Sequence, residues 1–380
     1  MLEKGKISAF QMAFLMFPTT VSTGVLLVPS ISERLAGRDM WMTPLIGSIA
    51  GYLIVYVAIT LHKLYPQKTL VEYSVQIVGL IPGKIIGAAV LLFFLHMNAV
   101  IVRQYGEFLV GNFLPQTPLL VVMASMLLVC SYTIRGGIEA MARSSQLIAP
   151  LVLVLITMLS LLLLPDMDFH KMLPVLENGI VPVLKGSIVL QSWNSAFFLI
   201  TFVLPSLKDP EKAMKWGMIS VFSVMLTLLL ASFVCLFMFG DRTSEMLYPL
   251  MSAARYISFA DFFEHLEAIV MAIWVMGNFI QMIVFYYGVV LGTAQLLNLK
   301  DFRPLVIPVN FLILLLGLWI SPNLAVLSKY LGTLIPFETF FMRFLIPVLL
   351  LFIAWIRRSN RRQGGAESRM SGGAKDDPHE

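Results

Sequence analysis

The stretch PTTVSTGVLLVPS, residues 18–30, lies inside the first long apolar segment of the chain. Pro18, Gly24 and Pro29 each disfavour or loosen an α-helix, and the Ser and Thr residues between them favour turns. Unpaired backbone groups are costly in lipid, so a break is tolerated only where it faces protein or a cavity. The stretch therefore predicts a helix that is interrupted near the middle of a membrane and lines a cavity.

The composition around this stretch is that of a membrane protein. Of the 380 residues, 58% are hydrophobic and 13% are charged, whereas soluble domains carry about 25% charged residues. Apolar segments of about 20 residues, long enough for a hydrocarbon core of about 30 Å, recur from one end of the chain to the other. We therefore expect an all-α polytopic membrane protein rather than a soluble globular domain.

Ten transmembrane helices are predicted from these apolar segments. Their approximate ranges are 7–33, 41–63, 84–113, 117–134, 139–164, 183–207, 213–239, 265–296, 304–321 and 334–356. The stretch 69–80 is apolar on one side only and predicts a short surface helix. Residues 1–356 are thus expected to form a single transmembrane domain, and the polar segment 357–380 a disordered cytoplasmic tail.

The distribution of basic residues predicts the orientation. With the N-terminus in the cytoplasm, 18 of the 27 Lys and Arg residues lie in cytoplasmic segments and seven lie outside. Arg103 and Arg343 fall within spans. This asymmetry follows the positive-inside rule, so both termini are predicted to be cytoplasmic. The basic charge then fixes topology, and no nucleic-acid partner is expected.

Signs of an enzyme or a metal centre are missing from the sequence. There is no CxxC, HExxH, Walker loop or GxSxG motif. Cys130 and Cys235 each lie in an apolar span, where a cysteine usually acts as a small buried hydrophobic residue. We expect neither enzymatic activity, nor a metal, nor a cofactor.

The sixth span contains a second irregular stretch, LQSWNSAFFLITFVLPS, residues 190–206. Interruptions at corresponding positions of two halves are typical of transporter binding sites. Here each half has five spans, and an odd number places the halves in opposite orientations. The pattern predicts a five-plus-five inverted repeat, with repeat one at about 7–164, repeat two at about 183–356, and discontinuous helices in spans one and six.

Broken helices would expose backbone groups to a ligand. The N–H groups from Gly24 to Leu26 are predicted to hold a carboxylate, as the N-terminus of a helix holds an anion. The carbonyls of 19–21 and 192–194 are predicted to accept hydrogen bonds from an ammonium group. This pairing fits a small amino acid or a similar polar nutrient. The alternative is that Gly and Ser only allow neighbouring helices to pack closely.

The candidate ligand-binding residues come from four spans. In spans one and six they are Thr20, Val21, Ser22, Thr23, Gly24, Ser192, Trp193, Asn194, Ser195 and Ala196. In spans three and eight they are Met97, Asn98, Asn278 and Gln281. Amides at membrane depth either bind a ligand or bond a neighbouring helix, and the sequence leaves both roles open.

Charged residues in spans three and ten predict an ion pair. Arg103 and Glu107 are one turn apart in the outer half of span three, and Glu338 lies at a compatible depth in span ten. Unpaired charges are costly there, so Arg103 is expected to bridge the two carboxylates as an outer gate or as a static brace. His96 shares the face of Arg103 and is expected to be neutral and hydrogen bonded, with a proton relay as the alternative.

Taken together, these stretches resemble the B subunit of the spore germinant receptors, permease-like members of the amino acid–polyamine–organocation superfamily. The resemblance covers about 355 residues and rests on the order of ISAFQ (7–11), STGVLLVPS (22–30), RQYGEF (103–108), FLP and TP (113–118), LPVLENGIVPVLKGS (173–187) and FVLPSLKDPEKA (202–213). Family members often have G-x-G at the span-one break, where this chain has Ser22 and Gly24.

The resemblance implies a leucine-transporter-type fold and a nutrient sensor in the inner membrane of the spore. It implies an A subunit and a C-subunit lipoprotein as partners, besides membrane lipids, and a ligand site among spans one, three, six and eight. A secondary active amino-acid transporter of the same superfamily is the alternative function. A pathway for water or ions that opens on ligand binding is a third possibility on which the sequence is silent.

Overall fold

The structure is a computed structural model that describes residues 2–256 and 266–358. Its described part is almost entirely helical. The α-helices in chain order are α1 (Ala9–Ala36), α2 (Thr43–Leu64), α3 (Leu70–Val78), α4 (Leu80–Asn112), α5 (Leu119–Arg135), α6 (Ile138–Leu163), α7 (Ile180–Asn194), α8 (Ile200–Val203), α9 (Ala213–Phe239), α10 (Pro249–Tyr256), α11 (Glu267–Leu296), α12 (Val306–Trp319), α13 (Leu324–Thr333), α14 (Ile335–Thr339) and α15 (346–358).

The long helices coincide with the predicted spans. Within the two described ranges, seven helical segments are long and apolar enough to cross a membrane, and the first of them contains both α1 and α2. Shorter apolar helices, Leu119–Arg135 and Arg303–Trp319, cover two further predicted spans. The polytopic helical architecture is confirmed, whereas the count of ten spans and the boundaries of the two repeats stay predictions. The predicted tail lies outside the described residues from position 359 onward.

Helix α1 is the central element of the bundle and packs against α6, α7, α9 and α11. It begins with a capping box in which Ser8 and Gln11 bond each other's backbone N–H groups. The helix then runs without interruption to Ala36, with Pro18 and Pro29 inside it. The predicted break in span one is therefore wrong. The depth and composition of residues 18–30 favour a break, but the helix continues through them.

Side chains explain why α1 stays helical. The hydroxyl of Thr19 donates to the carbonyl of Leu15 (2.7 Å), within the helix. Ser22 and Thr23 bond side chains of neighbouring helices instead of local backbone groups. In lipid, Ser and Thr side chains and adjacent helices allow a proline-containing helix to continue. Ser22 and Thr23, which favour turns in water, therefore serve here as contacts between helices.

In span six the predicted interruption takes the form of a change of helix type, within a helical segment that continues over Ile180–Ser206. Helix α7 ends at Asn194, a 3₁₀ helix follows over Ser195–Leu199, and the short helix α8 comes after it. The hydroxyl of Ser195 donates to the carbonyl of Ser192 (3.0 Å). Such side-chain bonds compete with the regular backbone ladder and explain the change of helix type at this polar run.

A second change of helix type lies near the end of the chain. Between α14 and α15 the backbone forms a π-helix over Phe340–Leu345. Single π-turns inside α-helices are rare and occur frequently at functional sites. This π-turn carries Arg343, whose side chain points into the bundle and is 2% exposed.

Gly277 brings α11 close to α1. A Cβ atom built on Gly277 would lie 2.7 Å from the Cβ and 3.2 Å from the Cα of Ser22. The two helices can approach this closely only because position 277 has no side chain.

We therefore expect Gly277→Ala to push α1 and α11 apart and to lower the free energy of unfolding by about 1–3 kcal/mol, as overpacked core sites do. The measurement is SDS-induced unfolding of the purified chain. Gly111→Ala in α4 is the matched control, because a Cβ there meets nothing within 4 Å. Equal stability of the two variants would contradict the close approach.

Candidate functional site

A cavity lies where α1, α4, α7, α11 and the last helices meet. Its walls are formed by Thr19, Thr23, Met97, Ile101, Gln104, Ser192, Trp193, Ala196, Gln281, Phe285, Leu331, Ile335 and Arg343. Its volume is about 30 Å³, and a buried water requires roughly 10–15 Å³ of such space. The cavity thus has room for little more than water, and any larger ligand would require its walls to move apart.

Three helices are joined by hydrogen bonds at the cavity wall. Thr23 Oγ1 accepts from the indole Nε1 of Trp193 (3.0 Å) and from Nε2 of Gln281 (3.4 Å). Ser22 Oγ donates to Oε1 of Gln281 (2.6 Å). Since these side chains are buried, the bonds hold α1, α7 and α11 in a fixed register around the cavity.

The structure brings together part of the predicted ligand set. Six of the predicted residues line the cavity: Thr23, Met97, Ser192, Trp193, Ala196 and Gln281. The others lie outside its wall: Thr20, Val21, Ser22, Gly24, Asn98, Asn194, Ser195 and Asn278. A continuous helix presents residues at i and i+4 to one side, so α1 contributes Thr19 and Thr23 rather than a run of neighbours. The ligand role of the six stays a prediction.

The predicted backbone contacts to a ligand are not available in this structure. The N–H groups of 24–26 lie inside the continuous helix α1, where each donates to a carbonyl one turn earlier. A Cβ on Gly24 would lie 3.1 Å from Leu228 and 3.5 Å from Trp193, so this glycine serves close packing. The carbonyl of Ser192 already accepts from Arg343 Nη1 (3.1 Å) and from Ser195.

Two of the three predicted asparagines, Asn98 and Asn278, bond backbone carbonyls of α11. Asn98 Nδ2 lies 3.4 Å from the carbonyl of Met282, and Asn278 Nδ2 lies 2.9 Å from that of Trp274. Both side chains are fully buried. Asn98 therefore bonds a neighbouring helix, the alternative that the sequence left open, whereas Asn278 bonds within its own helix.

Several wall side chains were missed by the sequence reasoning: Ile101, Gln104, Phe285, Leu331, Ile335, Arg343 and Thr19, of which only the backbone carbonyl was predicted to contact a ligand. Helical spacing from a predicted residue would have found four of them. Ile101 and Gln104 lie four and seven positions after Met97, Phe285 lies four after Gln281, and Thr19 lies four before Thr23. The contribution of α13 and α14 depends on how the chain returns to the bundle, which no local pattern indicates.

Arg103 pairs with one of its two predicted partners, Glu107. Its Nη2 and Nε lie 2.7 and 2.8 Å from Oε1 of Glu107, and its Nη1 donates to the carbonyls of Gly317 and Leu318 at the end of α12. The guanidinium thereby joins α4 to α12. The bridge from Arg103 to Glu338 is wrong, because Glu338 has other partners.

Glu338 belongs to a separate cluster. Both of its carboxylate oxygens accept from the hydroxyl of Tyr330, at 2.8 and 2.9 Å. That hydroxyl also lies 2.7 Å from Nε2 of His96, which is 3.7 Å from the carboxylate. His96 is hydrogen bonded, as expected, and the cluster ties α4 to α13 and α14 beside the cavity.

Two double-mutant cycles test this division of charges. Arg103→Gln and Glu107→Gln are expected to be coupled by about 1–3 kcal/mol, because each removes the same contact. Arg103→Gln and Glu338→Gln are expected to be additive within about 0.5 kcal/mol, because they lie in different clusters. SDS-induced unfolding measures both. Strong coupling between positions 103 and 338 would contradict the structure.

The chain is similar in sequence to proteins of spore germination. A family model described as "Spore germination protein" matches residues 6–325. Spore germination protein KB of Bacillus subtilis (strain 168) is 27% identical over 97% of this chain and 100% of its own length. Spore germination protein YndE of the same organism is 26% identical over 94% and 98%, and spore germination protein XB of Bacillus anthracis is 21% identical over 94% and 99%.

Two solved structures illustrate the fold that this chain shares. A Na⁺-coupled sialic acid symporter matches with a TM-score of 0.64 at 13% identity, covering 90% of this chain and 79% of its own. MhsT in complex with L-phenylalanine matches with a TM-score of 0.62 at 11% identity, covering 93% and 99%.

These likenesses confirm the predicted leucine-transporter-type fold class and say nothing by themselves about a ligand. The family assignment rests on the sequence match, which extends over most of the described spans. The chain therefore belongs to the spore germination protein family of permease-like membrane proteins.

Proposed function

We propose that this chain is the nutrient-binding subunit of a spore germination receptor, and that the cavity between α1, α4, α7 and α11 receives a small amino acid or a similar nutrient. The observation that carries the proposal is the concentration of buried polar groups on one cavity wall. Thr23, Ser192 and Gln281 face it from three helices, and small-molecule sites are typically apolar cavities with a few convergent polar groups.

A cavity that must widen to receive its ligand is consistent with a sensor. A sensor needs only a ligand that binds two conformations with different affinity, because that difference shifts the population toward one of them. Filling a cavity of about 30 Å³ requires α1, α4 or the α13–α14 segment to shift. Such a shift would be passed to the receptor partners, an A subunit and a C-subunit lipoprotein, in the inner membrane of the spore, with both termini of this chain in the cytoplasm.

A secondary active amino-acid transporter is the second candidate. It is favoured by the structural relatives, which include a Na⁺-coupled symporter and a protein bound to L-phenylalanine. Against it stands the chemistry of the cavity: of the described residues that line it, none is acidic. A coupling cation is usually held by carboxylate or carbonyl oxygens, so its site would have to lie elsewhere.

Deletion of the gene distinguishes the two. In a strain that lacks the other germination-receptor genes, we expect spores without this chain to lose the fall in optical density after addition of single amino acids, and a plasmid copy to restore it. Unchanged germination, together with a loss of radiolabelled amino-acid uptake in growing cells, would favour the transporter instead.

The place of the cavity is tested by filling it. Ala196 lines the wall and is 3% exposed, so Ala196→Val should occupy part of the space. We expect the nutrient concentration for half-maximal germination to rise roughly ten-fold, the effect of about 1.4 kcal/mol, at an unchanged protein level. Ala88→Val, at a partly exposed position of α4, is the matched control. A normal response of the Ala196 variant would place the ligand elsewhere.

A further inference from the structure

Arg343 differs from every other cation of the described residues in its setting. Its side chain extends from the π-turn between α14 and α15 to the cavity wall and is 2% exposed. The guanidinium carbon lies 5.2 Å from the ring centre of Phe93 and 5.0 Å from that of Phe285. The attraction between the guanidinium and these rings offsets part of the cost of burying its charge.

The hydrogen bonds of Arg343 are incomplete. Nη1 donates to the carbonyl of Ser192 (3.1 Å). Nε and Nη2 are buried and have no partner, and in the described part of the chain Arg343 forms no ion pair with Asp or Glu. Arginine presents its N–H groups as a rigid fork that matches the two oxygens of a carboxylate. Two unused donors of this fork are therefore held at a cavity that contains no negative charge.

A purely structural role explains only half of this arrangement. Bracing α7 would use the bond to Ser192, and packing would use the two Phe rings. Neither role uses Nε or Nη2, which lose their hydrogen bonds to water on burial and gain none in return. Buried charges in proteins are normally paired, and charges at membrane depth usually mark a ligand or ion site.

The same cavity offers acceptors for a positive group. Gln104 Oε1 and Ser192 Oγ are buried atoms without a hydrogen-bond partner, and both residues line the wall. An α-amino acid carries a carboxylate and an ammonium group that need these two kinds of partner. A neutral polyol would leave the charge of Arg343 unpaired, and a cation would be repelled by it.

We propose that Arg343 is the carboxylate-recognition residue of the cavity and makes this protein selective for nutrients that carry a carboxylate, α-amino acids above all. The proposal rests on the proposed function and specifies its ligand class. Recognition is then by a side chain of the last span, and the backbone of α1 takes no part in it. A carboxylate bound to Arg343 would add a contact between the α14–α15 segment and the other helices of the cavity wall.

The test compares acids with their amides in spores. The probes are the standard amino acids, the carboxamide of each active one, and myo-inositol as a neutral polyol. We expect the wild type to need a roughly ten-fold or higher concentration of the amide than of the acid, the factor for one lost charge-assisted pair. Arg343→Gln should raise the half-maximal concentration of the acid by a similar factor and abolish this preference.

Two variants accompany it. Arg343→Lys keeps a positive charge without the fork and should retain a weakened preference for the acid. Lys329→Gln removes an exposed charge from α13 and should change nothing, with immunoblots of spore membranes reporting the level of each variant. The amide comparison in the wild type needs no variant, so the proposal can fail even if Arg343→Gln does not accumulate.

The outcomes separate this proposal from the proposed function. Normal use of the acid by Arg343→Gln, equal use of acid and amide by the wild type, or a response to myo-inositol alone would each overturn the role of Arg343. If germination still depends on the gene, the sensor function survives that result. If deletion of the gene has no effect on germination, thermal stabilisation of the purified protein by the acid, lost in Arg343→Gln, decides about Arg343 independently.

Discussion

The structure depends on one constraint, that polar groups within the bilayer must find their partners inside the protein. Helix α1 meets it with side chains: Ser22 and Thr23 reach Gln281 and Trp193, so the bundle is closed around α1 by hydrogen bonds. The backbone of α1 remains helical, and its polar side chains bond to helices that pack closely against it, as α11 does at Gly277. Three residues with unpaired polar atoms, Gln104, Ser192 and Arg343, lie at the cavity wall and give it its polar character.

The two interior arginines illustrate the same constraint with opposite results. A charge at the centre of a membrane helix costs at least about 2.5–3.5 kcal/mol. Arg103 offsets this cost by its contacts with Glu107 and two carbonyls of α12, and it thereby braces α4 against α12. Arg343 offsets only part of this cost, by its contacts with one carbonyl and two aromatic rings. A site with an uncompensated cation is a site whose energy falls when an anion enters.

The sequence predicts most of the fold and part of the site. Composition and apolar periodicity locate the membrane helices, and the polar run at Ser195 marks the change of helix type. The prediction of a break in α1 is wrong because turn propensities measured in water ignore hydrogen-bond partners on other helices, here Gln281 and Trp193. Glu338 was assigned to Arg103 by depth alone, and its contact with Tyr330 depends on how α13 and α14 pack. Tertiary contacts of this kind leave no local pattern.

The family membership and the geometry together describe a transporter-like bundle that encloses a small cavity with polar side chains on its wall. The most direct test is a cryo-EM map of the assembled receptor, determined with and without an activating amino acid. The account predicts ligand density between Arg343 and the Thr23–Gln281 wall, with α1 still continuous. Density on the backbone N–H groups of a broken α1, or on another subunit, would contradict it.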